Sequence, residues 1–186
     1  NYQPTQFYKA FTEGGLFMLD KIDASIPEVL NILNAALANR YFDFPAPIGF
    51  KESHKDFHVI AAGNTSGHGA DYQYVGRNQL DGAGLDRFKY VPVDYCSEVE
   101  DSIAGDVSIS NFCREFRTAS KKVGINIIVS YRAIEGLAAL LPIMTTEEAL
   151  ECCLVKDLEK DDLRMITREL SDTNFKTALN NIYNRM

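Results

Sequence analysis

Two polar residues stand at the ends of apolar runs, where a sheet would present them. The run LFML at 16–19 ends on Asp20, and Lys21 sets an ammonium directly beside that carboxylate. The run FHVIAA at 57–62 ends on Gly63-Asn64-Thr65. In an open parallel sheet ligands gather at the C-terminal strand ends, because the loops converge there and helix N-termini point there. A carboxylate at such a place can hold a hydrated divalent cation, and an amide on a neighbouring strand can orient a water or a phosphate oxygen. Two plainer roles compete with these: Asp20 as the cap of the next turn, and Asn64 with Thr65 as an Asx-turn.

Other spacings carry less. His54 and His58 have the H-x-x-x-H spacing that ligates metal when both lie on one helix face, but this segment enters a strand, so both are read as surface residues. Gly67-His68-Gly69 lacks the lysine of a phosphate-cradling loop. Cys96, Cys113, Cys152 and Cys153 fit no metal-ligand spacing and are read as reduced thiols.

The elements that must position these residues follow from periodicity and capping. A short helix is predicted over 5–12, broken by Gly14-Gly15, and the unalternating run 16–19 suits a strand buried on both faces. Ser25 and Glu28 have capping-box spacing, with Pro27 early enough to be tolerated. The helix after them reaches about Asn39, its stripe formed by Val29, Leu30, Leu33, Ala36 and Leu37. Residues 41–44 and 48–51 flank Pro45-Ala46-Pro47 as a β-hairpin, followed by a second buried strand at 57–62. A Gly-rich stretch at 66–84 reads as loop, and Leu85-Asp86-Arg87-Phe88 leads to a third strand near 90–93. From residue 97 every segment reads helical: 97–104, 110–123, 131–141, 146–158, 161–170 and 172–184. The predicted boundary lies near residue 95, with an α/β part at 1–95 and an all-helical part at 96–186.

Composition sets the outer limits. A chain of 186 residues that is 46% hydrophobic and 24% charged is globular in type, long enough to bury roughly 70% of its unfolded surface. No apolar run approaches the roughly 20 residues of a membrane span, and the N-terminal residues show no basic-then-apolar leader, so the expected address is cytoplasmic without membrane attachment. A net charge of -7 weighs against nucleic acid as a partner.

The order of the pieces adds a resemblance. An apolar strand ending in Asp, a helix, a hairpin, a strand ending in Gly-Asn-Thr, then Leu85-Asp86-Arg87-Phe88 and a helical tail resemble the AAA+ ATPases over most of the chain. More narrowly they resemble the MoxR-like, cobalt-chelatase-type and dynein-related branch, whose members carry a β-hairpin just before the first-sensor strand. RYFDFPAPIGFKESHKDFHVIAAGNT at 40–65 occupies that place, and GGLFMLDKIDAS at 14–25 resembles the Walker B motif.

The resemblance implies the C-terminal part of a P-loop NTPase-type parallel sheet core with a hairpin insertion, followed by an all-helical lid. It implies ATP and Mg²⁺ as cofactors of the intact protein. Asp20 would serve the Mg²⁺ shell, Asn64 would be the first sensor, Arg87 the arginine finger reaching a neighbouring subunit's ATP, and Arg132, after Ser130, the second sensor. Such groups suit phosphoryl transfer, which is mostly positioning and charge neutralisation. The plainer readings are surface pairing of Arg87 with Asp86 or Asp94, and a solvated first-turn position for Arg132. Arg77 reads as a loop charge, with a second intersubunit arginine as the alternative. Self-association into a ring and an unidentified client protein, remodelled or supplied with metal, complete the implication. The alternative is an inactive assembly scaffold that does not hydrolyse ATP.

Two departures qualify this expectation. No G-x-x-x-x-G-K-[ST] occurs in the sequence, so the phosphate-binding loop and two further strands are expected upstream, and this stretch alone is expected to bind nucleotide poorly or not at all. The family's strand order then leaves the two apolar strands as neighbours, deprives the third of its central partner, and exposes an edge for pairing with another chain. Lys21 stands where the family has a glutamate that polarises the attacking water, and a charged ammonium cannot accept that proton. A lysine there could instead pair with Asp20 or Asp23, or bind the γ-phosphate. Three explanations stay open: a naturally inactive ATPase, another base such as Asp23 or Glu13, and a substitution introduced into the sequence.

Overall fold

The computed structural model describes residues 3–70 and 74–186; three residues of the predicted Gly-rich loop, 71–73, and the first two of the chain lie outside the described residues. The chain divides into two units, Asn1–Val91 and Pro92–Met186. Together they are mixed α/β, with a small parallel sheet and several helices, compatible with a P-loop NTPase-type part.

The first unit starts with α1 (Gln6–Glu13), capped by the Thr5 hydroxyl, which accepts from the Tyr8 N–H at 3.1 Å, and closed by Gly14 at φ 90°. Strand β1 (Gly15–Leu19) follows, then α2 (Pro27–Asn39), the hairpin β2 (Tyr41–Phe44) and β3 (Gly49–Glu52), and β4 (Phe57–Ala61). Strands β1 and β4 pair in parallel from Gly15↔Phe57 to Leu19↔Ala61, and the hairpin strands pair antiparallel. The parallel ladder runs past the strand ends, because the Ala62 N–H donates to the Leu19 carbonyl and the Ile22 N–H to the Ala62 carbonyl, both at 2.9 Å. The two polar strand ends are thereby held side by side.

An aromatic core backs this sheet. Phe11, Phe44, Phe57 and Ala36 are buried, with Phe7, Phe17, Phe42 and Val59 packed against them. Alternation along the hairpin sends Phe42 and Phe44 inward and leaves Tyr41 and Phe50 outside, where their rings meet at 5.2 Å. Half of the hairpin's aromatics are therefore core.

Three sequence expectations need correcting here. Strand β1 is covered on one face only: Phe17 packs into the core, while Leu16 and Met18 are 61% and 55% exposed and Ile60 on β4 is 44% exposed. Alternation along the two paired strands puts Leu16, Met18 and Ile60 on the face opposite Phe17 and Val59, which pack into the core. Residues 90–93 form no strand, since an isolated strand leaves its backbone groups without partners, and Tyr90, Val91 and Val93 are exposed. The capping box at Ser25 does not form; Ile26 takes the cap position with no side-chain bond, and Pro27 starts the helix.

The second unit is helical: α4 (Ser97–Ala104), α5 (Val107–Lys122), α6 (Tyr131–Leu140), α7 (Thr146–Leu150), α8 (Lys160–Glu169) and α9 (Thr173–Arg185). Phe112 and Phe116 of α5, Leu137 of α6, Leu163 of α8, and Phe175 and Leu179 of α9 meet in one core, and Phe112 stacks on Phe175 at 4.2 Å. Each fully buried side chain of this size contributes about 1.5–3 kcal/mol of transfer free energy. Thr145 and Glu148 form a reciprocal capping box at the start of α7. The single helix expected at 146–158 is instead α7 followed by a π-helical turn at Glu151–Val155. No helix among the described residues is long and apolar enough to cross a membrane.

Candidate functional site

The turn after β1 is where the sequence placed its first candidates. Asp20 is exposed and has no hydrogen bond or ion pair among the described residues, so its oxygens are open to water or a hydrated cation. Lys21 is exposed at φ 54°, ψ 47°, a left-handed conformation that costs a residue with a Cβ roughly 1–2 kcal/mol. That reversal turns the chain into a 3₁₀ turn at Ile22–Ala24, which the Ile22 bond to Ala62 holds against the end of β4. Lys21 pairs with neither Asp20 nor Asp23.

Asp23 is the residue that organises this end of the sheet. It is completely buried, and its Oδ2 accepts from the Asn64 N–H at 3.0 Å, the Thr65 N–H at 2.9 Å and the Thr65 hydroxyl at 3.0 Å. The Arg77 Nε lies 3.2 Å from the same oxygen, with the Arg77 side chain 16% exposed. A Cβ at Gly63 would stand 3.3 Å from the Asp23 carboxyl carbon, so the strand end comes this close because glycine is there. So clasped, Asp23 is out of reach of an attacking water, and of the alternative bases only Glu13, exposed at the end of α1, remains open to solvent.

Asn64 is exposed, its backbone fixed by Asp23 and its side chain without a partner among the described residues. Arg77 is not a plain loop charge: it is turned inward onto Asp23. The segment after it is tied to the same turn. The Asn78 N–H donates to the Asp23 carbonyl at 2.7 Å, and the Asn78 amide to the Ser25 carbonyl at 3.0 Å. Helix α3 (Gly82–Leu85) follows, capped by Asp81, with Gly84 set so closely on α2 that a Cβ there would meet the Asn34 amide at 2.9 Å. Leu85 and Phe88 face the cleft between α2 and this segment; Arg87 between them is exposed and unpaired among the described residues.

Arg132 belongs to the second unit, in the first turn of α6, exposed and unpaired among the described residues. The chain entering α6 is fixed from below. The Val129 carbonyl accepts from Arg117 Nε at 3.2 Å and Nη2 at 2.7 Å, and Arg117 pairs at 2.6 Å with Glu100, which is 1% exposed. The Arg117 guanidinium lies 3.9 Å from the Tyr95 ring, which meets Tyr131 edge-on at 5.2 Å, and the Tyr131 hydroxyl accepts from the Cys96 N–H at 2.8 Å. Nearby, hydrogen bonds from the Ser110 hydroxyl and Arg114 hold the Asp101 carboxyl below its ordinary range. Burial pushes the Cys113 thiol up to about 12.

Asp20, Lys21 and Asn64 therefore all follow the C-terminal ends of two adjacent parallel strands, and Arg87 comes shortly after a segment anchored to the same turn. Reasoning from the sequence missed the Asp23–Arg77 pair and the Glu100–Arg117 pair. A polar residue three places after Asp20, in an otherwise apolar turn, was the one local signal for the first; the second joins two helices and left none. Among the described residues no group of three or more His, Cys, Asp or Glu could hold a metal. A site with one carboxylate still fits Mg²⁺, which usually takes one or two carboxylates plus substrate phosphates and keeps several waters.

Comparison with known proteins bears on the first part of the chain. Residues 1–88 match the family described as the AAA domain of the dynein-related subfamily, which supports an AAA+ ATPase module in this part of the chain. The chain is 28% identical over 183 residues to an uncharacterized protein of Staphylococcus haemolyticus, covering 90% of this chain and 66% of that protein. Uncharacterized proteins of Staphylococcus aureus strain USA300 and of Staphylococcus saprophyticus are each 28% identical over 180 residues, with the same shares covered. The chain thus spans 66% of the length of these relatives.

Proposed function

We propose that this chain supplies part of an ATP site in an AAA+ module of the MoxR-like or cobalt-chelatase-type kind, within a longer polypeptide that assembles as a ring and remodels a protein partner or inserts a metal. The observation that carries this reading is the parallel pairing of β1 with β4, whose neighbouring C-terminal ends lead into Asp20 with Lys21 and into Asn64. In it Asp20 holds the water shell of Mg²⁺ and Asn64 orients the attacking water, while Arg87 reaches the ATP of a neighbouring subunit and Arg132 contacts phosphate from the lid. Bound Mg²⁺ would neutralise charge on the β- and γ-phosphates. A phosphate-binding loop must come from outside these residues, and the chain by itself binds no nucleotide.

A second reading is favoured by one residue. Lys21 at the glutamate position is exposed and cationic, so the site as it stands would hold a phosphate without activating water, and the protein would serve as an assembly scaffold. The longer protein decides between them. On the ATPase reading Lys21→Glu gives steady-state ATP turnover, and adding Arg87→Ala lowers it roughly 10³-fold or more in the assembled form. Absence of turnover in every oligomeric form, with an assembly state by light scattering that ignores ATP, leaves the scaffold.

A further inference from the structure

We infer that Arg77 is a positioning residue, the brace by which the turn after β1 fixes both Asn64 within its own subunit and the segment that presents Arg87. This rests on the nucleotide-site reading above. A buried carboxylate needs compensation, and Asp23, with no exposure, faces the Arg77 cation at 3.2 Å and takes three hydrogen-bond donors on the same oxygen, while its Oδ1 and the Arg77 Nε have no hydrogen-bond partner among the described residues, so Arg77 acts on it through charge. Two of those donors are the backbone amides of Asn64 and Thr65, so the pair sets the turn that aims the Asn64 side chain. The Asp23 carbonyl takes the Asn78 N–H, one residue beyond Arg77, and the Leu80 N–H reaches the Gly67 carbonyl at 2.9 Å. Residues 77–80 are therefore laid along the same two turns immediately before α3 and Arg87. Directed inward onto Asp23, the Arg77 guanidinium acts in its own subunit and is not the second intersubunit arginine.

Removing Arg77 leaves Asp23 an uncompensated buried charge, and the turns it gathers should loosen while the strands stay paired. The test is amide hydrogen exchange in the longer protein, wild type against Arg77→Ala and Arg77→Lys. Exchange at Asn64, Thr65 and Asn78 is expected to quicken at least about tenfold in Arg77→Ala, with β1 and β4 changed by less than about twofold and Arg77→Lys in between. Asp23→Asn gives the same local pattern and serves if Arg77→Ala does not fold. Unchanged exchange at Asn64 and Thr65, or equal acceleration in β1, β4 and the turns, overturns the brace. Calorimetric titration with ATP on the same preparations separates the two ideas: a wild-type protein without ATP affinity removes the nucleotide reading, while the exchange result still decides the brace. If wild type binds ATP, Arg77→Ala binds it at least about tenfold more weakly and Arg77→Lys recovers part of the loss.

Discussion

Lys21 and Asp23 stand two places apart in the turn after β1, the first exposed to solvent and the second completely buried. Lys21 adopts a left-handed conformation whose cost depends on its having a Cβ, and glutamate has one too. Lys21→Glu therefore changes charge without changing the demand on the backbone, which makes it a clean probe of hydrolysis. The cysteines offer another residue-scale test. Cys96 and Cys152 are exposed, Cys113 is buried, and burial pushes the Cys113 thiol up to about 12. At pH 8 Cys113 is almost wholly the unreactive thiol, so an alkylating reagent should modify the exposed Cys96 and Cys152 before it. Cys113 should react only on unfolding, as peptide mass spectrometry after timed quenching would register.

At the scale of elements, α5 is the structural centre of the second unit. It contributes Phe112, Cys113 and Phe116 to the core from one face, and Arg114 and Arg117 to Glu100 from an adjoining one. Phe116→Ala should cost about 3–5 kcal/mol, read as a lowered denaturation midpoint with an unchanged denaturant slope. Much of α5 to α9 was legible because helical periodicity and the stop at Pro142 are local. The hairpin was legible for the same reason, from two aromatic runs around Pro45-Ala46-Pro47. What was not legible depends on partners far along the chain. The strand expected at 90–93 has the right residues but no neighbour to pair with, and the covering of Leu16 and Met18 is decided by layers no window of sequence contains. In the candidate site, Asp20, Lys21 and Asn64 could be placed because strand ends are local, whereas the Asp23–Arg77 pair bridges 54 positions, 77 minus 23. The π turn at Glu151–Val155 escaped because its residues are good helix formers and only the wider backbone bond distinguishes it.

At the scale of the molecule, each unit carries its own hydrophobic core, aromatic in the first and mixed in the second. The stretch between α3 and α4 belongs to neither core. Tyr90, Val91 and Val93 are 75%, 72% and 91% exposed, and Lys89 beside them is exposed as well. A protease needs some residues of extended, unpaired backbone, and this stretch offers them next to side chains that trypsin and chymotrypsin select. Brief digestion should therefore cut first at Lys89 or Tyr90 and leave a resistant fragment that contains the unit Pro92–Met186, as intact-mass analysis would reveal. The same stretch that fails to become a strand is thus the natural seam for dissecting the protein, and it gives a fragment boundary for crystallisation without guesswork about where to cut.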